Sequence, residues 1–288
     1  MSINLKCDLS LFLEYCQSYK RRPEYVKTIS ADGRHVGGLV QLNKQIYIVE
    51  TALILVYEAQ APFKRQSDIK MKELVYPFGV AACDRNKCIY VSDKASECVW
   101  RVSEKYEVKQ LIAGLRGTGK LSVMSNGDLI VLEGGQLNIY KPNGNKLKNI
   151  PLPQELAEPE HAIESTRGTF FISQGITAGI HRICEISCDT GTILQSYGDR
   201  KGNAKGQLDF PAYIALDPEG RLFVCDYGNS RILLLDGNLK LQRVLLSNAD
   251  DGIPSSMNMF YAKESGNLLL GAVSIVNGGV RIHHIRKV

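Results

Sequence analysis

No stretch of this 288-residue sequence stays apolar for the roughly 18–20 residues that a membrane-crossing helix needs, so an integral helical membrane protein is excluded. The low hydrophobicity and high charge of a disordered chain are also lacking, with 44% hydrophobic and 23% charged residues. The eight cysteines include no Cys-x-x-Cys pair and no His-x-x-x-His accompanies them, so a structural zinc site is not expected. No Gly-x-Ser-x-Gly elbow is present. Gly117-Thr118-Gly119-Lys120 lacks the second glycine and the helix of a phosphate loop, and reads as a turn. Residues Met1–Lys6 lack the apolar core of a leader peptide, Glu14 interrupts the next candidate stretch, and no small-x-small cleavage site follows. A cytoplasmic protein with reduced thiols is expected. Cys88 and Cys98, on neighbouring predicted strands, are the pair to test if it is secreted. Lys and Arg exceed Asp and Glu by only five, a milder bias than a dedicated nucleic-acid domain shows. DNA and membrane partners are therefore not expected.

What is present is a repeat. A turn followed by a short apolar strand recurs at Gln45–Glu50, Lys87–Asp93, Asp128–Glu133, Thr169–Gln174, Arg221–Asp226 and Asn267–Ala272. Successive starts are 42, 41, 41, 52 and 46 residues apart. Turn residues precede each strand, for example Asn126-Gly127 and Glu219-Gly220, because Gly and Asn accept a positive φ in tight hairpins. Each core strand has an apolar strand before it, another after it, and in most units a more polar fourth. Four antiparallel strands in 40–45 residues make one propeller blade. The second strand is apolar because neighbouring blades cover both its faces; the fourth is polar because it edges the disc.

Six core strands predict an all-β, six-bladed propeller over residues 24–288. The last unit ends at its third strand, so Tyr25–Ser30 is expected to supply its fourth and close the ring, leaving no edge between blades. Residues 1–23 form an N-terminal extension. Within it 8–22 reads as a short basic amphipathic helix, ended by Pro23 and docked on its own domain. A monomer is expected.

The segment Pro211–Asp236 runs Pro, small-apolar strand, Asp-x-x-Gly, an apolar strand ending in Asp226, then Asn229 and Arg231-Ile232. It closely resembles an NHL repeat. Blade two resembles it more weakly, keeping Pro77 and Asp93, and the other blades share only the strand pattern. The whole is similar to the NHL propellers of tripartite-motif-type proteins and of stand-alone invertebrate propellers. Asp226, Asn229 and Arg231 are expected to bond one another and hold the blade's shape.

The resemblance implies a binding scaffold rather than an enzyme, with a protein partner held on one face. Its long loops Ala59–Lys70, Pro153–Glu160 and Asp199–Asp209 would supply specificity. The rival reading is single-stranded RNA on the loop face. There Lys64, Arg65, Lys94, Arg116, Lys120, Arg200, Lys201, Lys205 and Arg231 would meet phosphate and Tyr227 would stack on a base. Ten interspersed acids restrict any such basic zone to a sector, centred on Asp199–Lys205. Six-bladed relatives include calcium-dependent lactonases and zinc-dependent lyases, so a channel metal is the third reading. His161, Glu164 and Tyr213 are the channel candidates, but a single well-placed histidine is too few ligands. Neither a cofactor nor a metal is expected.

Overall fold

The computed structural model describes residues 24–30, 36–117, 119–156, 158–175, 179–251, 253, 256–272 and 279–284. The expected helix over 8–22, Cys7, Cys16 and His35 lie outside them. Strand β1 (Glu24–Ser30) precedes blade 1, which comprises β2 (Val36–Leu42), β3 (Gln45–Glu50), β4 (Leu53–Glu58) and β5 (Arg65–Lys70). Blade 2 is β6 (Pro77–Cys83), β7 (Cys88–Asp93), β8 (Cys98–Ser103) and β9 (Val108–Ala113). Blade 3 is β10 (Leu121–Val123), β11 (Leu129–Glu133), β12 (Gln136–Tyr140) and β13 (Lys146–Pro151). Blade 4 is β14 (Pro159–Glu164), β15 (Phe170–Gln174), β16 (Arg182–Ile186) and β17 (Ile193–Tyr197). Blade 5 is β18 (Pro211–Leu216), β19 (Leu222–Asp226), β20 (Arg231–Leu235) and β21 (Leu241–Ser247). Each is a four-stranded antiparallel sheet in chain order.

A further sheet is composite. Strands β22 (Ser256–Ala262), β23 (Asn267–Ala272) and β24 (Gly279–His284) are completed by β1 from the other end of the chain. Tyr25 lies opposite His283 and Ser30 opposite Gly279. The innermost strands touch in sequence, and β22 packs against both β18 and β2. The result is an all-β propeller whose described helix is confined to single turns such as Asn248–Asp251.

The core is divided among the gaps between sheets, because each sheet buries both faces. Between blades 1 and 2, Val40, Tyr47, Val56 and Met71 pack on Val80, Val91 and Val102. Between blades 4 and 5, Phe171 and Ile183 meet Ile214, Val224 and Leu233. Between blade 5 and the composite sheet, Phe223 stacks on Tyr261 with ring centroids 5.2 Å apart. Positive-φ residues turn each first hairpin, at Asn43, Lys87, Gly127, Gly168, Gly220 and Gly266. In blade 2 the left-handed residue is Lys87, neither Gly nor Asn.

The inner strands approach closely where their residues are small. A Cβ on Gly37 would overlap the Pro77 carbonyl oxygen of the next blade. Replacing Gly37 by Ala should therefore cost about 1–3 kcal/mol of stability, read from urea denaturation midpoints.

Two expectations are corrected. Ala59–Lys70 is not one long loop, because Arg65–Lys70 is a strand, β5. Its sequence hides this: as the outermost strand it buries only Ile69 and shows no apolar alternation. Cys88 and Cys98 do not face each other. Cys88 lies opposite Ser103 and Cys98 opposite Asp93, at the two ends of the β7–β8 pair. The cross-strand partner of Cys88 is Cys83, and both are free thiols. No helix of the described residues is long and apolar enough to cross a membrane.

Candidate functional site at the propeller axis

The inner strands share one irregularity. The register slips between Val36 and Gly38, Pro77 and Gly79, Pro159 and His161, Pro211 and Tyr213, and Ser256 and Asn258. Each slip leaves one extra residue near the strand's start, a β-bulge, which re-aims side chains and twists the strand. In blades 2, 4 and 5 the bulged residues are Phe78, Glu160 and Ala212. Strand β10 is short and unbulged, and Lys120 precedes it directly.

These residues meet. Lys120 Nζ donates to Glu160 Oε2 at 3.0 Å and to the Ala212 carbonyl at 2.8 Å, and sits 5.0 Å from the Phe78 ring centroid. Lys94, from the β7–β8 turn, lies over the same ring at 3.4 Å. The Lys120–Glu160 pair is almost completely removed from solvent. Burial outweighs the carboxylate and holds Lys120 below the ordinary lysine range.

One residue further along lies a second tier. His161 stacks on Tyr213 with ring centroids 3.9 Å apart. The Tyr213 hydroxyl donates to the Val80 carbonyl of blade 2 at 3.4 Å. Gly38 and Gly79 hold the corresponding places in blades 1 and 2. The Ile214 N–H donates to His161 Nδ1 at 3.3 Å, so the imidazole proton resides on Nε2. His161 is 1% exposed. Burial first, and the Lys120 charge second, lower its pKa to about 3.

Beyond these tiers the axis opens into a cavity of about 720 Å³, lined by the inner strands of all five blades and by β22. His161, Glu164 and Tyr213, the three channel candidates, all border it. The wall is mixed: Val80, Ala82, Val123, Ile163, Ala215 and Phe260 are its apolar part, and Gln41, Ser122 and Thr166 are among its polar side chains. Glu164 accepts the Ser125 N–H at 2.6 Å. Among the described residues no group of His, Cys, Asp and Glu side chains could hold a metal ion. Glu160, beside His161 in sequence, is committed to Lys120.

The basic candidates do not converge. Lys64 and Arg65 belong to the β4–β5 turn, which hydrogen-bonds to the β2–β3 turn through Ala59 and Lys44. They therefore lie on the face opposite the loops that join one blade to the next. The missed strand β5 reverses their direction. Arg65 is moreover chelated by Asp68 at 2.8 Å. Lys120 is interior rather than on a face. Arg231 is engaged by Asp226 at 2.7 Å and donates to the Asn203 and Gln207 carbonyls. Asn229 donates to Asp226 and to the Gly202 carbonyl, and Asp226 also accepts the Asp209 N–H. These three residues thus staple the 199–209 loop to blade 5. Burial pushes the Asp226 carboxyl up against these hydrogen bonds. Tyr227 packs edge-on against Phe210. Arg116, Arg200, Lys201 and Lys205 remain exposed on the loop face, and Lys201 is 3.5 Å from Asp209.

That face carries residues that the repeat pattern left unassigned. Val75 and Tyr76, in the connection from β5 to β6, are 57% and 43% exposed. Tyr76 lies 6.3 Å from Phe78 between ring centroids. Its N–H is held by Asp93 at 2.8 Å and its carbonyl by the Lys94 N–H at 3.0 Å. Asp93 also accepts the Ala95 and Ser96 N–H groups. The only sequence signal for this patch was two apolar residues just before a strand-opening proline.

No family model matches the chain, and no curated protein matches it. Among solved structures it is similar to virginiamycin B lyase from Staphylococcus aureus, at 12% identity and a TM-score of 0.59, covering 90% of this chain and 99% of that one. It is similar to the WD40 β-propeller domain of Doa1, at 14% identity and 0.62, covering 91% and 96%. It is also similar to hydrazine synthase from Kuenenia stuttgartiensis, at 12% identity and 0.62, covering 88% and 97%. At such identities the likeness concerns fold alone: this chain is a β-propeller.

Proposed function

We propose that this protein is a non-catalytic binding scaffold that holds a protein partner on its loop face. The composite sheet serves as the sixth blade, completed by the N-terminal strand, and gives the partner a rigid disc. The observation that carries this reading is the exposed pair Val75–Tyr76 beside Phe78 and Lys94. Single exposed apolar residues are ordinary, but adjacent ones with an aromatic neighbour mark an interaction site. The Tyr76 backbone is clamped by Asp93 and Lys94, so little order must be acquired there on binding. Lys94 and Arg116 suit a partner segment that joins an apolar side chain to carboxylates. The RNA reading loses Lys120 and Arg231 to internal bonds, and Lys64 and Arg65 to the other face.

A photo-crosslinking residue at position 76 tests this, with position 244 on the outermost strand as control. Position 76 should yield a discrete adduct that resists ribonuclease, and position 244 none. A ribonuclease-sensitive adduct, or none at position 76, would overturn the reading.

A further inference from the structure

The axial cavity opens on the opposite face from the proposed partner surface, and nothing assigned so far uses it. Its inner end is blind: His161 and Tyr213 stack across the axis and the Lys120–Glu160 pair seals the level beyond. Its volume, about 720 Å³, lies within the range of small-ligand sites, and its blind inner end leaves no path through which a chain could thread. The bordering side chains divide by depth. The wall joins apolar groups and the aromatic rings of Tyr213 and Phe260 to neutral polar side chains such as Gln41, Ser122 and Thr166. Of the ionisable groups, Asp84, Arg85, Lys263 and Glu264 are exposed at the rim. Arg85 leans over the neighbouring turn, where a Cβ on Gly127 would lie 3.0 Å from its Cδ. Asp217 is neutralised by Arg221 at 2.6 Å. Glu164 is half-buried, and only its Oε2 is committed, to the Ser125 N–H. It stands as the carboxylate beside the apolar part of the wall, without a cationic partner among the described residues.

We propose that this cavity binds a small organic ammonium with an aromatic or aliphatic body, paired with Glu164 and packed against Phe260 and Ile163. A carboxylate backed by a main-chain N–H pairs well with an ammonium when little water intervenes. Aromatic faces favour a cation beside them. The imidazole at the floor is neutral at physiological pH and does not repel the charge. An anionic ligand would meet the Glu164 carboxylate and find no cation within the wall.

The test uses the full chain and three probes of one shape: 1-naphthylmethylamine, 1-naphthalenemethanol and 1-naphthoate, titrated by calorimetry or fluorescence. The ammonium should bind at one site at least tenfold more tightly than the alcohol, and the naphthoate should not bind. Glu164→Gln, which keeps an acceptor for Ser125, should lower the ammonium to the affinity of the alcohol. Phe260→Ser should weaken both. Equal affinity for ammonium and alcohol, absence of ammonium binding, or an unchanged affinity in Glu164→Gln would overturn the proposal. The probe series needs no variant, so a Glu164 substitution that fails to fold leaves the test intact. Tyr76→Ser should bind the ammonium as the parent does, so failure at the cavity and failure of the partner surface are separately visible.

Discussion

Acidifying the protein from pH 7 to pH 4 should remove about 3 kcal/mol of stability through His161 alone. The sign follows from the burial of the neutral ring. In the unfolded chain His161 takes up a proton near its ordinary pKa of about 6.5, but in the folded chain only near 3. Between those values the unfolded state holds the extra proton. The contribution is therefore fully present above about 6.5, and it falls by roughly 1.4 kcal/mol per pH unit down to 3. Phe at position 161 can still stack on Tyr213 but cannot be protonated. It leaves the Ile214 N–H without its acceptor, at a cost of about 1–3 kcal/mol. His161→Phe should thus be less stable than the parent at pH 7 and equal or exceed it at pH 4. Urea unfolding at pH 7, 5 and 4 measures the difference between the two chains, which cancels the carboxylates they share. A difference constant across that range would show that His161 is not buried as a neutral group.

A second large effect is expected at Glu160. Changing it to Gln removes the countercharge and leaves the Lys120 ammonium in the interior with only neutral acceptors, the amide oxygen and the Ala212 carbonyl, and should cost roughly 3–5 kcal/mol at pH 7. The deficit should shrink as the pH rises. Lys120 is already held below the ordinary range by burial, and loss of the carboxylate lowers it further. The folded state then gives up its proton before the unfolded chain does, and stability climbs with pH over that interval. Replacing both partners, Lys120→Met with Glu160→Leu, removes the buried charges together and should recover most of the loss. Denaturation of the single and double variants at pH 7 and pH 9.5 reads all three statements. A Glu160→Gln cost under about 1 kcal/mol would mean that this ion pair does not hold the two inner strands in place.

Much of the blade pattern was legible residue by residue. Gln45–Glu50 and Asn267–Ala272 are strands with the expected limits. Each owes its visibility to burial on known faces or to a turn residue at its end. Strand β5 was invisible because an outermost strand meets water on most sides and needs no apolar period. Missing it misplaced Lys64 and Arg65, since one overlooked strand reverses the face to which a turn belongs. Lys120 was misread for a related reason: lysines are seldom buried, and its carboxylate partner is forty positions away in the next blade.

The sequence by itself determined the sheet-forming repeat, its spacing and the staple of Asp226, Asn229 and Arg231, because these depend on neighbours within one hairpin or one blade. Only the tertiary structure decided what occupies the axis. Phe78, Lys120, Glu160, His161 and Tyr213 come from four different blades, and a shared bulge near the start of most inner strands brings them to two adjacent levels. Local periodicity carries no record of a side chain that points across a ring. The physical partners of these groups are set by closure of the whole disc, which is why the plug and the cavity beyond it emerge only when every blade is in place.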